Sequence, residues 1–121
     1  MILGFDRRIE VNGGDYTIPT MYTLSDLSAW FQQQCNGDWE HAYGISIQST
    51  DNPGWWVTID LRDTPLEHRP FVPVLRGDFA SGDPQPPWLH CRIKDAVFHG
   101  AGDVQQLDEI LKTFLGWASL T

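Results

Sequence analysis

A helix is predicted from about residue 23 to residue 36, where apolar positions recur at helical spacing. Thr23 and Asp26 resemble a capping box at its start. Asn36-Gly37 ends it, because glycine accepts the left-handed conformation past a helix end. The apolar face of this helix is expected to consist of Leu24, Leu27, Trp30 and Phe31.

Between residues 43 and 61 the apolar positions recur at every second residue, which is typical of strands with one buried face. A first strand alternates Tyr43, Ile45 and Ile47 with polar residues. The turn Asp51-Asn52-Pro53-Gly54 follows, since proline fixes φ and glycine tolerates positive φ. In the second strand one face holds Trp55, Val57, Ile59 and Leu61, and the other holds Trp56, Thr58 and Asp60. The pattern predicts two antiparallel strands joined by a tight turn.

Further strands are predicted in the C-terminal half of the chain. Phe71 to Leu75 forms a strand that Pro73 confines to an edge or a bulge, because proline cannot donate to a ladder. After a loop from Gly77 to Pro87, a fourth strand contains Leu89, Cys91 and Ile93, and a short fifth strand contains Val97 and Phe98.

A second helix is predicted to follow Gly100-Ala101-Gly102, which we interpret as a tight entry to it. Asp103 would cap this helix, with Gln106 completing the box. Its apolar face is expected to consist of Val104, Leu107, Ile110, Leu111, Phe114 and Ala118.

The order of helix, several strands and helix lacks the alternation that builds parallel sheets. It predicts an α+β fold, in which an antiparallel four- to five-stranded meander sheet carries an N-terminal and a C-terminal helix on one face. A chain of 121 residues fits a single domain, which we expect at residues 21–121. Residues 1–20 are expected to be an N-terminal extension or a short hairpin, turning at Asn12-Gly13-Gly14-Asp15.

The net charge of −8 results from 16 acidic residues against 8 lysines and arginines. Between Arg8 and Arg62 the chain has acids but no lysine or arginine, so this part should create a negative potential that steers a basic partner. Solubility alone also explains such a charge. The same balance argues against binding nucleic acid or an anionic membrane, which requires a basic footprint.

The sequence contains no apolar run of the roughly 18–20 residues that a membrane span needs. Its start lacks the preceding positive charge and the apolar length of a secretory signal. Two cysteines in such a chain indicate free thiols in a reducing compartment. We therefore expect a cytoplasmic protein.

The residues with catalytic chemistry do not form a recognisable catalytic set. Cys35 would lie at a helix C-terminus, where the dipole disfavours a thiolate, and Cys91 would lie on a buried strand face. Asp38, Glu40 and His41 cluster, but their spacing matches no metal signature. The two carboxylates are better explained by bonds to backbone amides around a turn. We expect no catalytic residue, metal or cofactor.

One sequence block is too particular to be generic, and further blocks of moderate specificity accompany it. The run Gln34-Cys35-Asn36-Gly37-Asp38-Trp39-Glu40-His41-Ala42-Tyr43-Gly44 is followed by Asp51-Asn52-Pro53-Gly54-Trp55. With Trp88-Leu89-His90-Cys91-Arg92 and the stretch from Leu107 to Trp117, they resemble the bacterial immunity protein 53 family over about residues 22–118. Residues 1–20 and the loop from Gly77 to Pro87 depart from that pattern. The signature residues, interpreted as structural, are Cys35, Gly37, Trp39, Tyr43, Gly44, Asn52, Pro53, Gly54 and Trp55.

The resemblance implies an immunity protein from a polymorphic-toxin or secretion-system locus. Such a protein binds and neutralises a cognate toxin domain and so protects the producing cell. Related sequences sometimes carry a sulfurtransferase label, which makes a small enzyme using Cys35 the alternative. An acidic surface with surplus tryptophan, of which the chain has 6, would suit a basic nuclease toxin.

The candidate toxin-binding residues are polar or aromatic and lie in a predicted corner, a turn and a strand face. The corner after the first helix is alternatively a structural element, in which Glu40 and His41 satisfy backbone groups. Trp56 would face away from the core if both helices cover the other face of the sheet. The complete set is Asp38, Glu40, His41, Asp51, Trp56, Thr58 and Asp60.

Overall fold

The structure, a computed structural model, describes residues 22–80 and 82–119, together with the backbone of two short strands near the N-terminus. In chain order its elements are β1 (Ile9–Val11), β2 (Gly14–Tyr16), α1 (Thr23–Gln34), α2 (Trp39–Ala42), β3 (Ile45–Thr50), β4 (Gly54–Asp60), β5 (Val74–Arg76), β6 (Leu89–Lys94), β7 (Val97–Asp103) and α3 (Leu107–Ala118). β1 and β2 pair antiparallel, with Ile9 opposite Tyr16. The other residues of the expected N-terminal extension or hairpin lie outside the described part.

Strands β3 to β7 form one antiparallel sheet, which with the two long helices confirms the predicted α+β fold. The strand order is β3-β4-β7-β6-β5, so the sheet is not a simple meander. After β4 the chain crosses to the far edge, forms β5 and returns through β6 to place β7 beside β4. Pro73 immediately precedes the short strand β5, and its missing N–H suits an edge position. The longer β7 pairs on both sides and occupies the centre.

β7 extends through Gly100-Ala101-Gly102, so the predicted tight entry to a helix is wrong. Both glycines are needed because α3 packs directly on this strand. A Cβ on Gly100 would lie 2.3 Å from Cγ2 of Ile110, and one on Gly102 would lie 2.7 Å from Cβ of Gln106. The glycines therefore mark a close approach between helix and sheet rather than a turn.

Asp103 ends β7 and does not cap α3, which begins at Leu107 after Gln106. The Asp103 carboxylate is buried and accepts the backbone N–H of Trp88 at 2.8 Å and that of Gln105 at 2.9 Å. This carboxylate thereby links Trp88, which precedes β6, to Gln105, which precedes the cap residue of α3.

The core lies between the sheet and the helices α1 and α3. The ring of Phe114 in α3 contacts Phe98 in β7 at a centroid distance of 5.3 Å and Trp30 in α1 at 5.0 Å. Val57 and Ile59 of β4 are fully buried on the same face, as the alternation predicts. Burial of each such side chain contributes about 1.5–3 kcal/mol.

α1 differs from its predicted form at its start. Tyr22 rather than Thr23 occupies the cap position, and Asp26 accepts the N–H of Tyr22 at 3.1 Å. Leu24 is 67% exposed, because the buried side of this helix is centred on Leu27 and Trp30. In the described residues, no helix combines the length and the apolar composition of a membrane span.

The face of the sheet directed away from α1 and α3 carries none of the described helices, and we call it the open face. Its residues follow from the burial of Val57, because side chains alternate along a strand and paired residues share a face. On the four longer strands they include Ser46, Gln48, Trp56, Thr58, Asp60, His90, Arg92, Lys94, Val97, His99 and Ala101.

Candidate functional site

The corner between α1 and β3 contains the short helix α2, which the sequence pattern did not predict. Asn36 Oδ1 accepts the backbone N–H groups of Asp38 and Trp39, both at 2.9 Å. In return the Glu40 carboxylate accepts the N–H of Asn36 at 2.9 Å and that of Gly37 at 2.8 Å. Asn36 and Glu40 thus each bond backbone N–H groups near the other residue. An asparagine followed by a glutamate at the start of a helical turn is the sequence pattern that could have predicted this arrangement.

Trp39 fastens this corner to the rest of the fold. It is 3% exposed, and its indole N–H donates to the carbonyl of Arg62 at 2.8 Å, just beyond the end of β4. Its ring meets Trp30 edge-on at 6.0 Å and Phe31 at 5.9 Å. The Arg62 guanidinium in turn lies 4.7 Å from the ring of Tyr43, which follows α2 and precedes β3.

The electrostatics of the corner do not favour nucleophilic chemistry. The backbone N–H of Glu40 itself, together with those of Asn36 and Gly37, lowers the pKa of the Glu40 carboxyl and keeps it ionised. Desolvation and then the Glu40 charge raise the pKa of the Cys35 thiol, which donates a hydrogen bond to the carbonyl of Phe31 at 3.3 Å. Cys35 is therefore held as a neutral thiol.

Cys91 is equally unsuited to catalysis. It is completely buried on the helix-covered face of β6, and burial raises its pKa to about 12. Among residues 22–80 and 82–119, no group of three or more His, Cys, Asp or Glu side chains is placed to hold a metal ion. Nothing in the described residues supports the alternative of a cysteine-dependent enzyme.

The open face presents an exposed aromatic residue at its centre. Trp56 is 46% exposed, whereas Trp39, Trp55 and Trp117 each donate their indole N–H to a backbone carbonyl. The Trp56 ring stacks on the His99 imidazole of the neighbouring strand, with centroids 6.4 Å apart and planes inclined by 23°. Trp56 thus presents an amphipathic ring to solvent while one side of it stacks on a neighbouring strand.

A shallow depression lies beside Trp56, between β4 and β6. It has a volume of about 280 Å³, and its lining includes Trp56, His90, Arg92, Lys94, His99 and Ala101. Ala101 lies in register between Trp56 and His90 on the adjacent strands. Because neighbouring strands are about 4.7–4.9 Å apart, the small alanine leaves a gap between two large rings.

The structure brings some of the predicted site residues together and separates others. Trp56, Thr58 and Asp60 share the open face of β4. Asp60 is engaged by the Arg62 guanidinium at 2.9 Å; burial raises the pKa of its carboxyl, but the hydrogen bonds and charge of Arg62 outweigh that effect and lower it.

The other candidates lie at the two ends of the β3–β4 hairpin. Asp38 and His41 are exposed in the corner that precedes β3, and Glu40 is occupied with backbone groups there. Asp51 is exposed in the turn at the opposite end. The six residues of β3 separate the two ends by about 20 Å. The acids of this region are thus not gathered around Trp56.

Residues of β6 and β7 complete the open face, and sequence reasoning had not selected them. The alternation from Trp88 to Lys94 places His90, Arg92 and Lys94 on one side of a strand. This alternation could have predicted that the three side chains share a face, but it does not show which strands lie beside β6. The pairing of β7 with both β4 and β6 brings these side chains to the depression beside Trp56.

Comparison with known proteins identifies the family. No curated protein and no solved structure matches the chain. The family described as immunity protein 53 matches residues 24–119, which include nearly all of α1 and every later element. That match covers most of the chain and includes both the corner and the open face. The chain therefore belongs to the immunity protein 53 family.

Proposed function

We propose that this protein neutralises one cognate toxin domain by binding it with the open face of its sheet. Membership of an immunity protein family, over residues 24–119, is the observation that carries this proposal. Membership implies a non-enzymatic inhibitor role and a toxin protein as the partner. The neutral thiols of Cys35 and Cys91 agree with inhibition by binding rather than by chemistry.

The open face has the properties of a contact surface. Aromatic side chains that are partly exposed on a rigid support dominate the energy of many protein interfaces. Trp56 is such a group, with 46% of its surface exposed and a stacking partner that limits its movement. A sheet face of four long strands offers much of the roughly 800 Å² that each partner contributes to a standard interface. Thr58 and Asp60 extend this surface along β4, and we assign them to the contact region.

The toxin in this proposal is a basic protein, and a nuclease is the class that the charge favours. The net charge of −8 attracts a basic partner over distances beyond direct contact. Asp38 and Asp51 are exposed at the two ends of the β3–β4 hairpin and would meet its basic groups at the rim of the interface. In a nuclease those groups would otherwise hold substrate phosphates. We place this binding in the cytosol, where Cys35 and Cys91 stay reduced.

Coexpression with the C-terminal domain of the toxin encoded by the neighbouring open reading frame tests the proposal. We expect the protein to restore growth, to copurify with that domain and to bind it less tightly as ionic strength rises. Continued killing by the toxin domain, with no complex in the pull-down, would contradict toxin neutralisation. A complex with an acidic toxin that is insensitive to salt would instead contradict the basic-nuclease assignment alone.

A further inference from the structure

The cations of this acidic chain are placed unevenly. Of its 8 lysines and arginines, Arg7 and Arg8 lie outside the described residues, which leaves six. Four of these have a defined role in the fold: Arg62 pairs with Asp60, Arg76 with Glu109 and Lys112 with Asp108, and Arg69 donates to the carbonyls of Trp117 and Ala118. Their charges are thus matched by acids or by a helix C-terminus.

Arg92 and Lys94 are the other two. Within residues 22–80 and 82–119, neither has a carboxylate at salt-bridge distance, and neither side chain makes a hydrogen bond. They lie two residues apart on β6, so both point to the open face, separated by about 6.6 Å along the strand. The acid of β4 on that face, Asp60, is occupied by Arg62.

Two histidines join these cations, and we call His90, Arg92, Lys94 and His99 the basic strip. His99 lies directly opposite Arg92 in the β6–β7 pair, and its ring stacks on Trp56. His90 lies opposite Ala101 and meets the edge of the Phe79 ring at 6.4 Å. The strip therefore runs along the depression beside Trp56, with an aromatic ring on each side.

The local potential agrees with this arrangement. Burial, and then the charges of Arg92 and Lys94, lower the pKa of His99, against the opposite effect of Asp95 in the β6–β7 turn. His99 is therefore uncharged near neutral pH, and Arg92 and Lys94 alone give this chain of net charge −8 a positive patch on the face that holds Trp56. Adjacent like charges on a strand repel each other, and an anionic partner would relieve that repulsion.

We propose that the basic strip receives an acidic segment of the toxin, whose Asp or Glu carboxylates bind Arg92 and Lys94 while an apolar group packs on Trp56. This inference rests on the proposed function. The planar guanidinium of Arg92 suits a carboxylate, which it can bind through two parallel hydrogen bonds. A polyanion such as nucleic acid fits less well, because the surrounding charge of −8 repels an extended chain of phosphates. A short acidic segment on a basic protein meets no such repulsion.

The two charge features then act at different ranges. The net negative charge raises the rate of encounter with a basic toxin, and the basic strip fixes the orientation in which the two surfaces meet. A toxin lacking the acidic segment would be attracted but would leave Arg92 and Lys94 unpaired in the interface. The strip would in this way distinguish the cognate toxin from other basic toxins.

The test compares two variants with the same change in net charge. Arg92→Gln combined with Lys94→Gln removes two positive charges from the strip, and Lys112→Glu changes the net charge equally on α3. We expect the double variant to bind the cognate toxin domain at least about tenfold more weakly than the native protein at low salt, and Lys112→Glu to bind within about twofold. Circular dichroism and thermal unfolding check that each variant is folded, and Lys94→Gln alone serves if the double variant is not.

The outcomes separate this inference from the proposed function. If the native protein does not bind the toxin domain, the proposed function fails. If it binds and both variants bind equally well, the basic strip has no role and the inference is overturned. If the native protein instead binds a single-stranded oligonucleotide, and the double variant loses that binding, the occupant is nucleic acid and the inference is also overturned. If an Arg92→Glu variant loses toxin binding and an acid-to-lysine change in the toxin restores it, the result would support direct pairing between Arg92 and that acid.

Discussion

Trp56 and His99 stack across the central strand pair β4–β7, on the face of the sheet that carries none of the described helices. The two residues are diagonal neighbours, because Trp56 is opposite Ala101 and His99 is opposite Thr58. This arrangement keeps a large ring nearly half exposed without burying it in the core. Because the ring lies outside the core, the effect of Trp56 on toxin binding and its effect on stability can be measured independently.

Replacing Trp56 by alanine should weaken toxin binding far more than it weakens the fold. Loss of a central aromatic anchor typically weakens binding about tenfold or more. The free energy of unfolding should fall by about 1 kcal/mol or less, because the side chain is partly exposed and loses one stacking contact. Calorimetric titration with the toxin domain measures the affinity, and chemical denaturation measures the free energy of unfolding.

Trp39→Phe provides the matched comparison. It keeps an aromatic ring in the core but removes the partly buried hydrogen bond from the indole N–H to the carbonyl of Arg62. We expect the free energy of unfolding to fall by about 1–3 kcal/mol. The folded variant should bind the toxin domain with the affinity of the native protein. The opposite pattern, with Trp39→Phe losing affinity and Trp56→Ala losing stability, would show that the corner is the contact surface.

Gly100→Ala should destabilise the protein by about 1–3 kcal/mol, because the added methyl group overlaps Ile110 and crowds Phe98. Gly116→Ala adds the same methyl group to α3 where, apart from the adjacent residues and the backbone of the helix itself, nothing lies within 4 Å. This control should be neutral or stabilise by up to about 1 kcal/mol, since alanine is the better helix former. Thermal unfolding of both variants measures the difference. Equal stability of the two would mean that α3 does not pack closely on β7.

Glu40→Gln should lower the unfolding temperature at neutral pH, whereas Asp38→Asn should leave it unchanged. The folded protein holds the pKa of Glu40 below its ordinary value, so ionised Glu40 stabilises the fold above the unfolded pKa of about 4.3. That contribution is lost as the pH falls through the lower pKa of the folded state. Unfolding temperatures measured from neutral to acid pH should therefore differ most at neutral pH and converge in acid. A constant difference at every pH would show that the Glu40 charge has no part in the cap.

Cysteine substitution should leave immunity intact. Cys35→Ser keeps a donor near the carbonyl of Phe31, and cells that express it should survive the toxin as the native strain does. Cys91 should resist alkylation in the folded protein, because burial raises its pKa to about 12, and it should react when the chain unfolds. Mass spectrometry after brief iodoacetamide treatment checks the second expectation. Loss of protection by the folded Cys35→Ser variant would revive the cysteine-dependent alternative.

Much of the secondary structure follows from local patterns in the chain. The alternation from Trp55 to Leu61 correctly predicts which face of β4 is buried, because a strand with one covered face needs apolar residues at every second position. Pro73 correctly places β5 at an edge. Even the error at Gly100-Ala101-Gly102 has a local cause: glycines are common in turns, and α3, whose approach requires them in a strand, is distant in the chain.

The sequence by itself determined the family, the α+β class and the exposure of Trp56, because these depend on short motifs and on period-two alternation. Only the tertiary structure decided that β7 lies between β4 and β6, which brings Arg92 and Lys94 beside Trp56 and leaves Asp38 and Asp51 at the ends of the hairpin. The physical reason is that alternation specifies the face on which a side chain lies but not the neighbour of its strand. That neighbour is set by packing and hydrogen bonding between segments distant in the chain.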